Sequence, residues 1–248
     1  MDGRPPATCA IGIMAKAPQP GRSKTRLCPP LTPEQAAALS AAFLRDTARN
    51  IAEAARRAPI TAYAAYAPRG TEDVLAALLA DETALILADG NGPVPDAVRG
   101  FGRCLLQAVE GMLGRGHEAA IVLSSDTPTL PTRILVQAAS LLLAPGDRAV
   151  LGACGDGGYY LLGLKRAHAD MFSDIAWSTE TVAAATRERA CGLGLDLVEL
   201  EPWSDVDDAD ALRALLAEAG GYAAPETRAV LAQFGLSAGR IAWDVIPA

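Results

Sequence analysis

Histidine is nearly missing from this sequence of 248 residues: there are two, His117 and His168. Neither falls in a loop suited to chemistry, which argues against a Ser-His-Asp or Cys-His mechanism. Cysteine is sparse and unpaired. Cys9, Cys28, Cys104, Cys154 and Cys191 are scattered without a C-x-x-C pair, so neither a zinc site nor a disulfide framework is expected. Cys9, Cys104 and Cys191 sit in apolar or helical surroundings and are expected to pack as small core residues. Reduced thiols suit the cytoplasm. Long apolar runs are also missing. The run from Cys9 ends at Lys16, no segment reaches the ~18 apolar residues of a membrane span, and no signal-like apolar region is expected at the N-terminus. Positive charge is in deficit, with 22 Lys and Arg against 29 Asp and Glu and a net charge of -7. That balance argues against a nucleic-acid polymer or an anionic membrane as partner. Any anion site must be local.

What is present is a regular alternation. Short apolar runs predict strands at Thr8–Ala15, Ile60–Ala67, Ala84–Ala88, Ala119–Ser124, Ala149–Ala153, Tyr159–Leu164 and Leu195–Leu200. Helical patterns lie between them. Thr32-Pro33-Glu34-Gln35 reads as an N-cap, a first-turn proline and a capping-box glutamine opening a helix to about Arg57. Further helices are expected from Thr71, over Ala97–Leu113, from Pro131, from Ser178, and from Asp207 or Asp208. Strands separated by helices imply βαβ units and a mainly parallel sheet covered on both faces. One α/β domain over residues 8–218 is expected. Residues 219–248 read as an extension packed on it or at an oligomer contact, in a monomer or homodimer.

Ligands of open α/β sheets bind at the carboxyl ends of the strands, which selects five loops. The first is "KAPQPGRSKTRL". Its cations Lys16, Arg22, Lys24 and Arg26, with Gly21 and Thr25, can wrap phosphates, although the Walker A spacing is missing. The second is "SSDTPTLP", where Ser125 and Asp126 end an apolar strand. An aspartate there can ligate Mg²⁺ or Mn²⁺ or merely cap a turn. The third is "GDGGYYLLGL", whose Asp156, Gly157 and Gly158 make a hairpin or a substrate rim. Tyr159 and Tyr160 alternate, one toward the core and one toward the crevice. The fourth is "WSTETV". There Trp177 is core or a stacking surface, and Ser178 or Thr179 is a candidate N-cap. The fifth is "WSDVDDADAL", whose crowded Asp205, Asp207, Asp208 and Asp210 repel unless a helix N-terminus or a cation relieves them.

In that order the loops resemble the bacterial transferases described as radical-SAM/selenodomain-associated or arsenosugar-biosynthesis glycosyltransferases. Those have the nucleotide-diphospho-sugar transferase (GT-A) fold. The resemblance runs from about Ile11 to Leu215. The first, second and last loops also resemble the 2-phospholactate and molybdenum-cofactor guanylyltransferases. The resemblance implies that Lys24, Arg26 and Lys16 meet nucleotide phosphates, with Gly21, Arg22, Thr25 and Ser125 beside them. It implies Asp126 with the Asp205/Asp207 pair as ligands of Mg²⁺ or Mn²⁺. Asp156, Gly157, Gly158 and Tyr159, with Trp177, Ser178 and Thr179, would hold the acceptor. Lys24, Asp126 and Asp156 would carry the catalysis, any base chemistry falling to a carboxylate such as Asp156. Two departures stand out. Relatives have an acidic G-D-L-G-E-R-like stretch where this chain reads "GNGPVPDAVRGFG", and commonly Thr where it has Asp208.

The implied activity is metal-dependent glycosyl transfer from a nucleotide-diphospho-sugar to a small acceptor. The alternative is nucleotidyl transfer from an NTP to a phosphorylated acid or sugar with loss of pyrophosphate, toward which the cation density of the first loop leans. A non-catalytic nucleotide-binding protein is the third reading.

Overall fold

The computed structural model describes residues 7–218 and 220–236. All seven expected runs form strands: β1 Cys9–Ala15, β2 Ile60–Tyr66, β3 Ala84–Leu87, β4 Ala119–Ser124, β5 Arg148–Ala153, β6 Tyr159–Leu164 and β7 Asp196–Glu199. They make one sheet in the order β3-β2-β1-β4-β6-β5-β7. Pairing is parallel except at β6, which runs against both β4 and β5. The reversal follows from the short link between β5 and β6, because a parallel crossover needs a dozen or more residues. The inner strands are buried on both faces, so they read as continuous rather than alternating apolar runs.

The helices are α1 Pro33–Ala55, α2 Glu72–Ala76, α3 Phe101–Leu113, α4 Thr132–Leu143, α5 Val182–Gly192, α6 Ala209–Ala217 and α7 Pro225–Gln233. α1 and α4 cover one face, with Leu44, Ile51, Ile134 and Leu142 on Ile11, Ile13 and Ile121. α3 covers the other, with Leu105, Val109 and Met112 on Val122, Leu151 and Leu162. Burial of these side chains, worth about 1.5–3 kcal/mol each, fixes both layers. Among the described residues no helix is long and apolar enough to cross a membrane.

The capping box at Thr32 and Gln35 forms in both directions. Two helix starts differ from expectation. α3 begins at Phe101 rather than Ala97, because Gly100 holds a positive φ of 54°. α5 begins at Val182 rather than Ser178, which itself has φ 64°. Cys9 is buried as expected, but Cys104 is half-buried and Cys191 is exposed, so neither is a core residue.

Within 219–248, α7 docks on α1. The buried Asp46 carboxylate accepts the Glu226 amide at 3.1 Å and the Thr227 amide at 2.7 Å. A carboxylate from another helix thus serves as the cap that Ala224 does not supply. The apolar end of that segment, from residue 237, lies outside the described residues.

Candidate functional site

The cationic loop after β1 is anchored at its far end. Leu27 is fully buried and packs with Leu39 and Phe43 of α1 and Leu212 of α6. Just before it, Lys24 takes the left-handed conformation, φ 49° and ψ 42°, which costs a non-glycine residue roughly 1–2 kcal/mol. That turn directs the side chain inward, leaving it 7% exposed. Its ammonium lies 2.7 Å from Asp126 Oδ1, Asp207 Oδ1 and the Val206 carbonyl, so all three N–H groups have acceptors. The Phe43 ring lies 5.4 Å away, within cation–π range.

Asp126 follows directly on β4. Its amide donates to Ser124 Oγ at 3.1 Å, and Ser125 Oγ donates to its Oδ1 at 3.2 Å. The Asp126 carbonyl accepts the Val206 amide at 2.9 Å, which ties the β4 loop to the late acidic segment. That segment divides its carboxylates. Asp208 caps α6, accepting the Ala211 amide at 2.8 Å. Asp210 pairs with Arg213. Asp205 and Asp207 line the cleft.

The turn between β5 and β6 supplies Asp156, whose Oδ1 accepts the Gly158 amide at 2.8 Å. Gly157 has φ 88°, and a β-carbon there would fall 1.9 Å from the Glu180 carbonyl oxygen. Only glycine fits. The Gly157 carbonyl accepts the Ala183 amide at 2.9 Å, joining this turn to the start of α5. Tyr160 is fully buried and donates to the Glu201 carbonyl at 2.8 Å, Tyr159 packs against the other core layer, and both border the cleft.

These loops enclose a cleft of about 760 Å³ at the carboxyl ends of β1 and β4. It brings together Lys16, Arg22, Lys24, Thr25, Arg26 and Ser125 with the acidic group of Asp126, Asp156, Asp205 and Asp207. Gly158, Tyr159, Trp177, Ser178 and Thr179 complete the far wall. Gly21 and Gly157 are not part of the lining among the described residues. Trp177 both lines the cleft and packs on the core.

Lys24 touches two of the four carboxylates, Asp126 and Asp207, and among the described residues no cation lies within ion-pair distance of Asp156 or Asp205. Burial first, and then Asp156 and Asp207, push the Asp205 carboxyl up to about 6 from an ordinary 3.8. Donor atoms of Cys154, Asp156 and Asp205 lie within 4.8 Å of one another. Burial holds the Cys154 thiol well above its ordinary range, so the oxygens are the available ligands. Of the expected ligands Asp126, Asp205 and Asp207, only Asp205 belongs to this group, since Lys24 holds Asp126 and Asp207; the carboxylates of Asp156 and Asp205 suit a hard divalent cation. Cys154 was not among the expected ligands.

Phe101 was missed as well. It is 43% exposed, lines the cleft, and meets Trp177 edge-on with ring centroids 5.9 Å apart. Gly102 admits the indole, because a β-carbon there would lie 2.9 Å from the Trp177 ring. The only sequence signal is the bare "GFG". A second cleft of about 580 Å³ lies between α1 and residues 77–82. Its three arginines face three carboxylates, so it carries no excess charge.

No curated protein matches the sequence. Several solved structures share the fold. A candidate nucleotide-diphospho-sugar transferase from Desulfovibrio desulfuricans G20 superposes with a TM-score of 0.74 at 24% identity, covering 92% of this chain and 98% of that one. CMP:2-keto-3-deoxy-manno-octonic acid synthetase complexed with CTP gives 0.51 at 14% identity, covering 92% and 100%. A cytidylyltransferase from Leptospira borgpetersenii gives 0.52 at 11%, covering 92% and 95%. The fold is therefore that of the nucleotide-diphospho-sugar transferases. Residues 50–179, just over half of the sequence, match the family described as "Uncharacterized protein conserved in bacteria (DUF2064)", and the chain belongs to that family.

Proposed function

We propose that the protein is a metal-dependent transferase that takes a nucleotide-activated donor, and that the group it transfers is a sugar. One observation carries the reading: a single cationic loop faces a cluster of four carboxylates across one cleft. Phosphates need the first and a divalent cation needs the second. The likeness in fold to nucleotide-handling enzymes supports it. The resemblance of the five loops to the arsenosugar-type transferases favours glycosyl over nucleotidyl transfer.

In this reading Lys16, Arg22 and Arg26 bind the donor phosphates, with Thr25 and Ser125 beside them. Asp126, Asp205 and Asp207 hold Mg²⁺ or Mn²⁺, with Asp156 close by. The cation would supply charge neutralisation of the departing phosphate. Lys24 supplies a positive charge that needs no metal. Asp156, fixed by the Gly158 amide, is placed to accept the proton of an acceptor hydroxyl. Most of the rate advantage comes from positioning and charge, not from a covalent step. The free cysteines suit a cytoplasmic enzyme.

The test is product analysis with Mg²⁺. Release of UDP or GDP from a nucleotide sugar, without pyrophosphate, supports the glycosyl reading. Pyrophosphate released from an NTP supports the nucleotidyl alternative. A protein that binds no nucleotide, with or without metal, is neither.

A further inference from the structure

We infer that the acceptor is an uncharged hydroxyl compound with a flat apolar face, and that phosphorylated acceptors are rejected. The inference rests on the transferase reading above and names the substrate class of that site.

The charges in the cleft are sorted by position along the sheet. Its cations, Lys16, Arg22, Lys24 and Arg26, all come from the one loop after β1. On the other side of β4 stand β6 and β5. The lining there, from Asp156 to Val182, contains no lysine, arginine or histidine among the described residues, and it contains Asp156 and Glu180. A phosphate monoester brings a charge of about −1.5 to −2 at neutral pH. Placed in this half it would meet carboxylates and no counter-ion. The cations of the β1 loop do not serve it, because a bound donor occupies them.

A helix N-terminus is the usual substitute for a cation, and α5 starts in this half. Two amides of its first turn are turned to the fold's own carbonyls, Val182 N to Thr179 at 3.4 Å and Ala183 N to Gly157 at 2.9 Å, which weakens this helix start as an anion site.

What this half offers instead is ring surface. Phe101 is one of two large hydrophobic side chains left exposed among the described residues, and it stands against Trp177. Tyr159 also borders the cleft, with most of its ring packed on the core. Aromatic faces bind other rings and the C–H faces of sugars through area and quadrupole, without charge. The Ser178 hydroxyl supplies a polar edge for such a ligand, while the Thr179 hydroxyl is held by the Ala176 carbonyl and the Thr181 hydroxyl.

The experiment compares phenyl β-D-glucoside with its 6-phosphate, each titrated by calorimetry into the full chain saturated with Mg²⁺ and UDP or GDP. The glucoside is expected to bind about tenfold more tightly than its phosphate, the scale set by one ring contact together with an unmatched dianion. Phe101→Ala is expected to weaken glucoside binding by about five- to tenfold and nucleotide binding by less than about twofold. Phe101→Leu, which keeps apolar bulk and removes the ring, should fall between. Thr179→Arg, adding a cation to this half, should narrow the preference. Equal or tighter binding of the 6-phosphate overturns the inference, as does binding of neither probe, or a Phe101→Ala defect confined to the nucleotide. Those results leave the transferase reading standing, because nucleotide binding is measured first. Failure of the unmodified protein to bind UDP or GDP removes that reading and the inference with it.

Discussion

Lys24 Nζ and Asp126 Oδ1 lie 2.7 Å apart, joining the loop after β1 to the loop after β4. The same ammonium meets Asp207 at 2.7 Å, so one cation closes the site across three segments of the chain. It stands where the proposal puts the ligands of a divalent ion. Metal and ammonium therefore compete for the same oxygens, and an arriving phosphate offers the ammonium another partner. Lys24→Met is expected to strengthen Mn²⁺ binding in the absence of nucleotide and to weaken Mg²⁺-nucleotide binding about tenfold or more, each charge-assisted contact being worth ~1.5–3 kcal/mol. Titration calorimetry measures both. Arg26→Met, which removes a cation with no recorded contact to these carboxylates, should weaken nucleotide binding with a smaller gain for the metal. Identical metal responses in the two variants would contradict the competition.

The raised Asp205 pKa predicts a pH dependence of stability. The carboxyl titrates at about 6 in the fold and at 3.8 unperturbed. Below both values it is neutral in either state and costs nothing. Above both it is charged in either state, and the fold bears the cost of burying it. Metal-free protein should therefore lose stability as pH rises from about 4 to about 6. Asp205→Asn should flatten that slope and raise the melting temperature at pH 7, by about 2–4 °C per kcal/mol recovered in a chain of this size. With saturating Mg²⁺ the order should invert, because the variant has lost a ligand. Thermal denaturation across pH, with and without Mg²⁺, reads both effects.

Gly157→Ala should damage fold and function together. The new methyl group falls on the Glu180 backbone carbonyl, and the backbone there has φ 88°. The strain is on the order of 1–3 kcal/mol, relieved only by moving the Asp156 turn away from α5. Expected results are a lower melting temperature and loss of transfer, while nucleotide affinity stays close to normal. Gly155→Ala is the control, since a β-carbon there meets nothing within 4 Å.

Asp46→Ala should loosen α7 without touching the cleft. Two amides lose their acceptor, and loss of a cap costs about 0.5–2 kcal/mol. Faster hydrogen exchange in residues 225–233 with unchanged nucleotide affinity is the expected result. A loss of nucleotide affinity would tie α7 to the site.

The sequence revealed the strands more fully than the helix starts, for a physical reason. A buried parallel strand is a short apolar run bounded by breakers, which is a local property. The starts of α3 and α5 are set by Gly100 and Ser178, both at positive φ, and nothing local marks Ser178 for that conformation. Lys24, Asp126 and Asp207 were identifiable because charge stands out against apolar strands. Their mutual contact was not, because it depends on Lys24 turning left-handed and on the Asp126–Val206 hydrogen bond. Phe101 went unnoticed since an apolar residue at a helix start reads as core until its exposure is known. The start of α6, expected at Asp207 or Asp208, was legible because a capping aspartate before an apolar helical pattern is a local signal, and Asp208 is the cap.

The reversed direction of β6 gives the domain two edges that can vary separately. In a purely parallel sheet each loop at the cleft leads into a crossover helix, so lengthening it disturbs helix packing. Here β5 ends and β6 begins at the same rim, joined by the short turn that carries Asp156. Residues can be added or exchanged in that turn without shifting the register of β1, β2 or β4, where the phosphate loop is rooted. The close approach of Gly157 to Glu180 and the bond from the Ala183 amide to the Gly157 carbonyl are local constraints to preserve. Under the proposed function, this turn is the graft point at which acceptor choice could be changed while the donor end stays as it is.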